Sequence, residues 1–246
     1  MRIIISPAKK MRVDTDNMAY QELPLFLGQT EKLKAKLQSM SPAELQKLWK
    51  CNDQIAAQNR ERLDGMDIRS SLTPALLAYE GIQYRYMAPE VFTDREFAYI
   101  QEHLRILSGF YGLLRPFDGI VPYRLEMQAA LRVEEYRDLY AFWGDRLAKQ
   151  LCAETDCIIN LASKEYSRCI SMFLPENVRM ITCVFAEEKA GKLVEKGTMC
   201  KMARGERVRY MAVNNVQEPE ELKTFSLQQY RYQQDCSNKQ NYVFVR

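Results

Sequence analysis

The run Ile3-Ile4-Ile5, stopped at once by Ser6-Pro7, constrains the fold of this chain more than any other feature. Consecutive branched aliphatic residues favour extended backbone, and an uninterrupted apolar run bounded by a turn signal reads as a buried strand. Pro7 fixes φ and removes a backbone donor, so the strand must give way to a tight loop. The chain therefore has to build a core around its own first residues.

The rest of the sequence keeps switching between strand and helix periods, with no linker, repeat or low-complexity tract. Thr30 with Leu33 and Leu37 predicts a helix, and Ser41-Pro42-Ala43-Glu44 is a capping box with proline at the first helical position. Leu45, Leu48, Trp49, Ile55 and Leu63 continue an apolar stripe behind it, and Leu76 to Tyr79, ending at Gly81, reads as a strand. Thr93 and Glu96 form a second capping box, after which Phe97, Ile100, Leu104 and Leu107 hold one apolar face and predict a helix running to the glycines. Ser108-Gly109-Phe110-Tyr111-Gly112 and the apolar Leu113-Leu114 then give the outline of a helix-hairpin-helix-like element. Such hairpins aim backbone N–H groups at phosphate oxygens, and Gly109 and Gly112 would let the chain come close. A helix-capping glycine followed by an ordinary turn accounts for the same residues.

Downstream, Trp143, Leu147 and Leu151 predict a helix, Cys157 to Leu161 a buried strand, and Val178 to Phe185 another. Lys192 to Cys200 and Tyr242 to Val245 lean towards strand, with a helix near Lys201 to Val213. Strands so irregularly spaced predict an α+β fold, a single domain over residues 1–246 with a mixed sheet surrounded by helices. A hydrophobic fraction of 47% and a charged fraction of 27% are enough for a large buried core. No stretch approaches the ~18 apolar residues of a membrane span, and the N-terminal apolar run is too short for a signal peptide, so a cytoplasmic protein is expected.

Seven scattered cysteines without a CxxC pair predict reduced thiols, most of them small buried hydrophobes, and not a disulfide framework or zinc ribbon. His103 is the only histidine, so a histidine-based metal site has nothing to build on; neither metal nor cofactor is expected. The net charge of +3 announces no nucleic-acid partner, but its distribution is uneven. Residues 1–13 carry Arg2, Lys9, Lys10 and Arg12 without an acid, and residues 189–210 carry seven lysines and arginines against Glu195 and Glu206. Each run alone reads as a solvated face; convergence in space would change that.

Six segments, in order, carry a resemblance: Ile3–Met11 (IIISPAKKM), Leu104–Met127 (LRILSGFYGLLRPFDGIVPYRLEM), Leu139–Asp145 (LYAFWGD), Ile159–Ser167 (INLASKEYS), Lys201–Gly205 (KMARG) and the closing YVFVR. Over nearly its whole length the chain resembles the YaaA family of bacterial peroxide-stress resistance proteins. The resemblance implies a compact α+β fold with a basic cleft and a helix-hairpin-helix-like element, binding of duplex DNA, and a role in limiting peroxide damage linked to intracellular iron. The chain departs from the family pattern at Met202, where a second lysine is frequent, and at Gln128 and Gln229, where glycine is common.

Individual residues can then be weighed. Lys9 and Lys10 follow a strand and a turn, where a phosphate can meet N–H groups and ammonium groups together, or where a basic loop is merely solvated. Arg115 and Arg124 sit near Pro116 and Pro122, which would stiffen the loop enough to present guanidinium forks to phosphate; pairing with Asp118 and Glu126 is the alternative. Asn160, Ser163 and Lys164 lie where a buried strand becomes a loop, the usual position for functional polar groups and also for a self-satisfied turn. Lys201, Arg204 and Arg209 are expected to join the others on one face. Catalytic residues cannot be assigned, since there is no Walker loop, GxSxG or GxGxxG. An enzyme acting on a nucleotide or phosphate ester through Ser6, Lys9, Glu126, Asp145 and Ser163 stays open beside the DNA reading. No membrane and no obligate protein partner is expected, although a protein-binding module would be indicated by a large exposed apolar patch.

Overall fold

A computed structural model describes residues 1–224, 226 and 229–246. The strands are β1 (Arg2–Ile5), β2 (Lys10–Met11), β3 (Thr73–Pro74), β4 (Tyr79–Glu80), β5 (Leu104–Ser108), β6 (Gly112–Leu114), β7 (Gly119–Ile120), β8 (Cys157–Leu161), β9 (Arg179–Lys189), β10 (Lys192–Val194), β11 (Arg231–Tyr232) and β12 (Asn241–Val245). The helices are α1 (Leu27–Gln38), α2 (Pro42–Trp49), α3 (Asp53–Asp64), α4 (Ala75–Ala78), α5 (Ile82–Met87), α6 (Asp94–His103), α7 (Leu139–Trp143), α8 (Arg146–Glu154), α9 (Lys164–Ser171) and α10 (Gly197–Val213).

Strand β1 sits inside the main sheet, whose order is β11-β12-β9-β8-β1-β5-β6, with β10 beside β9. Neighbours from β12 to β5 run parallel, while β6, β10 and β11 pair antiparallel, so the sheet is mixed and the fold α+β. Ile3, Ile4 and Ile5 are all fully buried. Successive strand residues point to opposite faces, so β1 is covered on both. Helices α6 and α10 pack on each other and reach β1, β5 and β9; α8 packs on α9, which reaches β5.

Both predicted capping boxes form, at Ser41–Glu44 and Thr93–Glu96. The helix expected to run on to the glycines instead ends at His103, and residues 104–114 form a β-hairpin, not a helix-hairpin-helix element. The cause is tertiary. Leu104 to Ile106 pair in parallel with Ile3 to Ile5, and all five residues of β5 are buried, so Leu104 and Leu107 keep helical spacing by coincidence. Similarly, Leu76 lies in the helical turn α4, and the Lys192 to Cys200 segment holds only the short β10 before α10 begins. The helix predicted through Trp143 and Leu151 is broken at Gly144, whose φ of 51° ends α7.

No helix is long and apolar enough to cross a membrane among the described residues. The seven cysteines are free; Cys169, Cys183 and Cys200 are buried, and burial raises their thiol pKa, that of Cys169 to about 12. They behave as small hydrophobes, not as activated thiolates.

Candidate functional site

The sheet has a topological switch beside its first strand. From β1 the chain crosses to β5, whereas from β8, the other neighbour of β1, it continues away from β1 to β9. Connections that leave adjacent parallel strands in opposite directions open a crevice at the strands' carboxyl ends, the usual ligand position in such sheets. The crevice exists. A cavity of about 510 Å³ is lined by Ser6 to Lys10 after β1, by Ser163, Glu165 and Tyr166 after β8, by Glu80 to Tyr84, by Tyr123 to Glu126, and by Lys201 and Arg204 of α10. That volume falls within the ~300–1,000 Å³ typical of small-molecule sites.

The two strand ends are tied together. Ser6 donates its hydroxyl to Ser163 Oγ at 3.2 Å and accepts the Ser163 N–H at 2.8 Å. Ser163 is the N-cap of α9, but its side chain makes no capping bond; its oxygen accepts from Ser6, which leaves its own O–H to donate elsewhere. The first N–H groups of α9 have no intrahelical acceptor, which gives the crevice a partly positive floor. Tyr84, Tyr123 and Tyr166 form aromatic walls, and Tyr84 donates to the Ser6 carbonyl at 3.1 Å.

Five cations line the cavity: Lys9, Lys10, Arg124, Lys201 and Arg204. Lys9 pairs with Glu126 at 2.9 Å and Lys10 with Glu80 at 2.8 Å, both lysines remaining largely exposed. Arg124 makes one long bond, 3.4 Å, to the Trp49 carbonyl. Arg204 has no ion pair or hydrogen bond among the described residues, its Nε is shut off from solvent, and burial lowers its pKa. Glu165 accepts the Gln128 N–H at 3.2 Å. Burial pushes its carboxyl above the usual range; the Gln128 N–H opposes this and the Glu126 carboxylate adds to it.

Other expected site residues lie elsewhere. Arg115 pairs with Glu22 at 2.8 Å in a separate depression with Arg2 and Arg105. Asp118 does partner it, but through the Arg115 backbone N–H at 2.8 Å and not the guanidinium. Arg209 is exposed on α10 away from the cavity lining, and Lys164 is exposed at the start of α9. Asn160 is buried and spans β8 to β9, donating to Thr182 Oγ1 while accepting the Ala162 N–H. Gly109 and Gly112 are buried, so neither can approach a phosphate. A Cβ at Gly109 would lie 2.6 Å from the Leu125 carbonyl oxygen, and Gly112, at φ 78°, abuts Trp143 and Leu147. Arg207, within the same basic run, is fully buried, stacks 3.9 Å over Phe244 and donates to the Leu222 carbonyl. Asp145 pairs with Lys149 at 2.7 Å outside the cavity, so only Ser6, Lys9, Glu126 and Ser163 of the enzyme constellation come together.

Sequence reasoning missed Glu165, Gln83 and the three tyrosines. Glu165 stands two residues after Ser163, in the first turn of a helix that follows a buried strand, and that position was the available signal.

A larger, more open depression of about 1120 Å³ lies at the amino ends of β9 and β12, between Arg179, Glu220 and Tyr242. There Arg179 and Tyr242 share Glu220, and no buried donor lacks a partner among the described residues.

These features define an α+β protein with a cation-lined crevice at the carboxyl edge of a partly parallel sheet. Residues 1–236 match the family described as peroxide stress protein YaaA, and the chain belongs to that family. It is similar to proteins named UPF0246 from Pediococcus pentosaceus (50% identity over 100% of this chain and 98% of the relative) and Agathobacter rectalis (51%, over 100% and 99%). A UPF0246 protein of Desulfitobacterium hafniense is 49% identical over 100% of this chain and 98% of its own.

Proposed function

We propose that this peroxide-stress protein binds duplex DNA without sequence preference, across the mouth of the crevice, and so limits iron-linked oxidative damage. One observation carries the reading: Lys9, Lys10 and Lys201, from distant segments, stand exposed around one opening with Arg124 and Arg204 behind them. A cavity of this size cannot admit a duplex, whose major groove alone is about 12 Å wide. The duplex therefore rests on the rim, where lysines act as point charges on phosphates and no element is shaped to read bases. Lys9 and Lys10 can exchange Glu126 and Glu80 for phosphate, because exposed ion pairs are worth only about 0–1 kcal/mol.

Binding measured against salt tests this. Each phosphate neutralised releases counterion, so the logarithm of the binding constant should fall linearly with the logarithm of salt, by about 0.9 per contact. Roughly three to five contacts give a slope between about −3 and −4.5, and Lys201→Ala should reduce it by about one on every duplex alike. Affinity independent of salt, or confined to one sequence, would overturn the reading.

A second reading, an enzyme acting on a nucleotide or phosphate ester, is favoured by one observation. Glu126 is ion-paired with Lys9 at 2.9 Å, while burial raises the carboxyl pKa of nearby Glu165, the direction expected of a general acid. Nucleotide turnover lost in Glu165→Gln, with DNA affinity unchanged, would select it.

A further inference from the structure

Buried side-chain donors without a hydrogen-bond partner are rare in folded proteins, since each costs about 1–3 kcal/mol. Three belong to residues that line this one cavity, among the described residues: Gln83 Nε2, Arg124 Nε and Arg204 Nε, each atom itself closed off from solvent. Gln83 is only 7% exposed. All three are donors, so whatever satisfies them must bring acceptors. They are joined by the Ser163 hydroxyl and the open N–H groups at the start of α9, which point the same way chemically. Five cations against three carboxylates leave the lining with a net charge of +2. A phosphodiester carries one negative charge; a phosphate monoester carries close to two. The rest of the wall is Tyr84, Tyr123, Tyr166, Pro7 and Ile82, a largely apolar, aromatic-rich surface against which a base can lie.

From these we infer that the crevice is a binding site for a nucleoside monophosphate, its phosphate held by Arg204, Lys201 and the start of α9 and its base against the tyrosines. This rests on reading the crevice as an anion site, but not on DNA binding at the rim. The rim and the interior share Lys201 but otherwise differ: the exposed Lys9 and Lys10 meet backbone phosphates, while Arg204 and the start of α9 meet one terminal phosphate. The same chemistry occurs in a free mononucleotide and at the 5′-phosphorylated end of a strand.

Isothermal titration with AMP, GMP, CMP, UMP and their deoxy forms tests the inference, with adenosine and inorganic phosphate as fragments of the ligand. At least one mononucleotide should bind saturably, and both fragments at least about tenfold more weakly, since each retains only half of the contacts. Arg204→Met should weaken that mononucleotide by about tenfold or more, and Arg204→Lys by less. If Arg204→Met fails to fold, Gln83→Leu, which removes a neutral donor, should show a smaller loss of the same kind. A 5′-phosphorylated oligonucleotide that displaces the mononucleotide, where its 5′-hydroxyl counterpart does not, identifies strand ends as a source; failure of both to displace it leaves the free nucleotide. No saturable binding of any mononucleotide by folded wild-type protein, or phosphate binding as tightly as the mononucleotide, would overturn the inference. Duplex binding in that same preparation would leave the rim reading standing; mononucleotide binding without duplex binding would do the reverse.

Discussion

Ser6 and Ser163, 157 residues apart, share two hydrogen bonds: the Ser6 hydroxyl donates to Ser163 Oγ at 3.2 Å and accepts the Ser163 N–H at 2.8 Å. This clasp joins the ends of β1 and β8 just beyond their last register pair, Ile5 with Leu161. It sets the floor of the crevice and diverts Ser163 from capping α9. Ser6→Ala leaves the Ser163 N–H without its acceptor and should cost about 1 kcal/mol, readable as a lower urea midpoint at unchanged m-value. Ser6→Thr keeps the hydroxyl and should recover most of the loss. A Ser6→Ala protein as stable as wild type would show the clasp to be incidental.

Arg204 puts stability and function in opposition. The Arg204 Nε, held out of water without a partner, costs the fold stability, and a flexible apolar side chain of similar length carries no such donor. Arg204→Met should therefore raise the thermal midpoint by a few degrees while weakening anion binding. Scanning calorimetry beside titration checks both halves. A lower midpoint would mean that the charge is satisfied in the fold and not waiting for a ligand.

Gly205, next to it, is required by backbone proximity. A Cβ there would come within 2.1 Å of the Gln83 carbonyl oxygen, where α10 crosses α5. Backbone cannot swing aside as a side-chain tip can, so Gly205→Ala should cost about 1–3 kcal/mol or more. The same crossing sets Arg204 and Gln83 against one cavity, so ligand affinity should fall along with stability. Chemical denaturation of Gly205→Ala within about 0.5 kcal/mol of wild type would contradict this.

Much of the frame was legible from local chemistry. Ile3 to Ile5, the capping boxes at Ser41 and Thr93, and the strand at Cys157–Leu161 announce themselves because short-range signals decide them. The hairpin at 104–114 did not, because only pairing with β1, about a hundred residues away, makes Leu104–Ser108 a strand. Convergence of Lys9, Lys10 and Lys201 with Arg124 and Arg204 was anticipated, whereas Arg209 and Arg115 lie elsewhere, Arg115 because its pairing with Glu22 depends on tertiary packing. The departure at Gln229 has a backbone meaning. Its φ is 68°, a left-handed conformation that costs a residue with a Cβ roughly 1–2 kcal/mol. Gln229→Gly should thus stabilise the protein, though the greater freedom of glycine in the unfolded chain holds the net gain to about 1 kcal/mol or less. Equilibrium unfolding that shows a loss would rule this out.

Asp118 supplies a pH dependence that can be isolated from other groups. Its carboxyl is 2% exposed, Oδ2 accepts the Arg115 N–H at 2.8 Å, and Oδ1 has no partner among the described residues. Burial raises its pKa to about 6, against 3.8 for the free side chain, with the Arg115 N–H only partly opposing the shift. The folded state therefore holds the proton that the unfolded chain has already released between those two values. Stability from this group is complete below about pH 4, declines as pH rises towards 6, and stays low above that. A shift of roughly two units corresponds to about 3 kcal/mol at most. Asp118→Asn keeps an oxygen for the Arg115 N–H but cannot ionise. The difference in unfolding free energy between wild type and Asp118→Asn should thus move in favour of the variant by up to about 3 kcal/mol from pH 4 to pH 7. Parallel stability curves for the two proteins over that range would place the Asp118 pKa back in the ordinary carboxylate range and remove the effect.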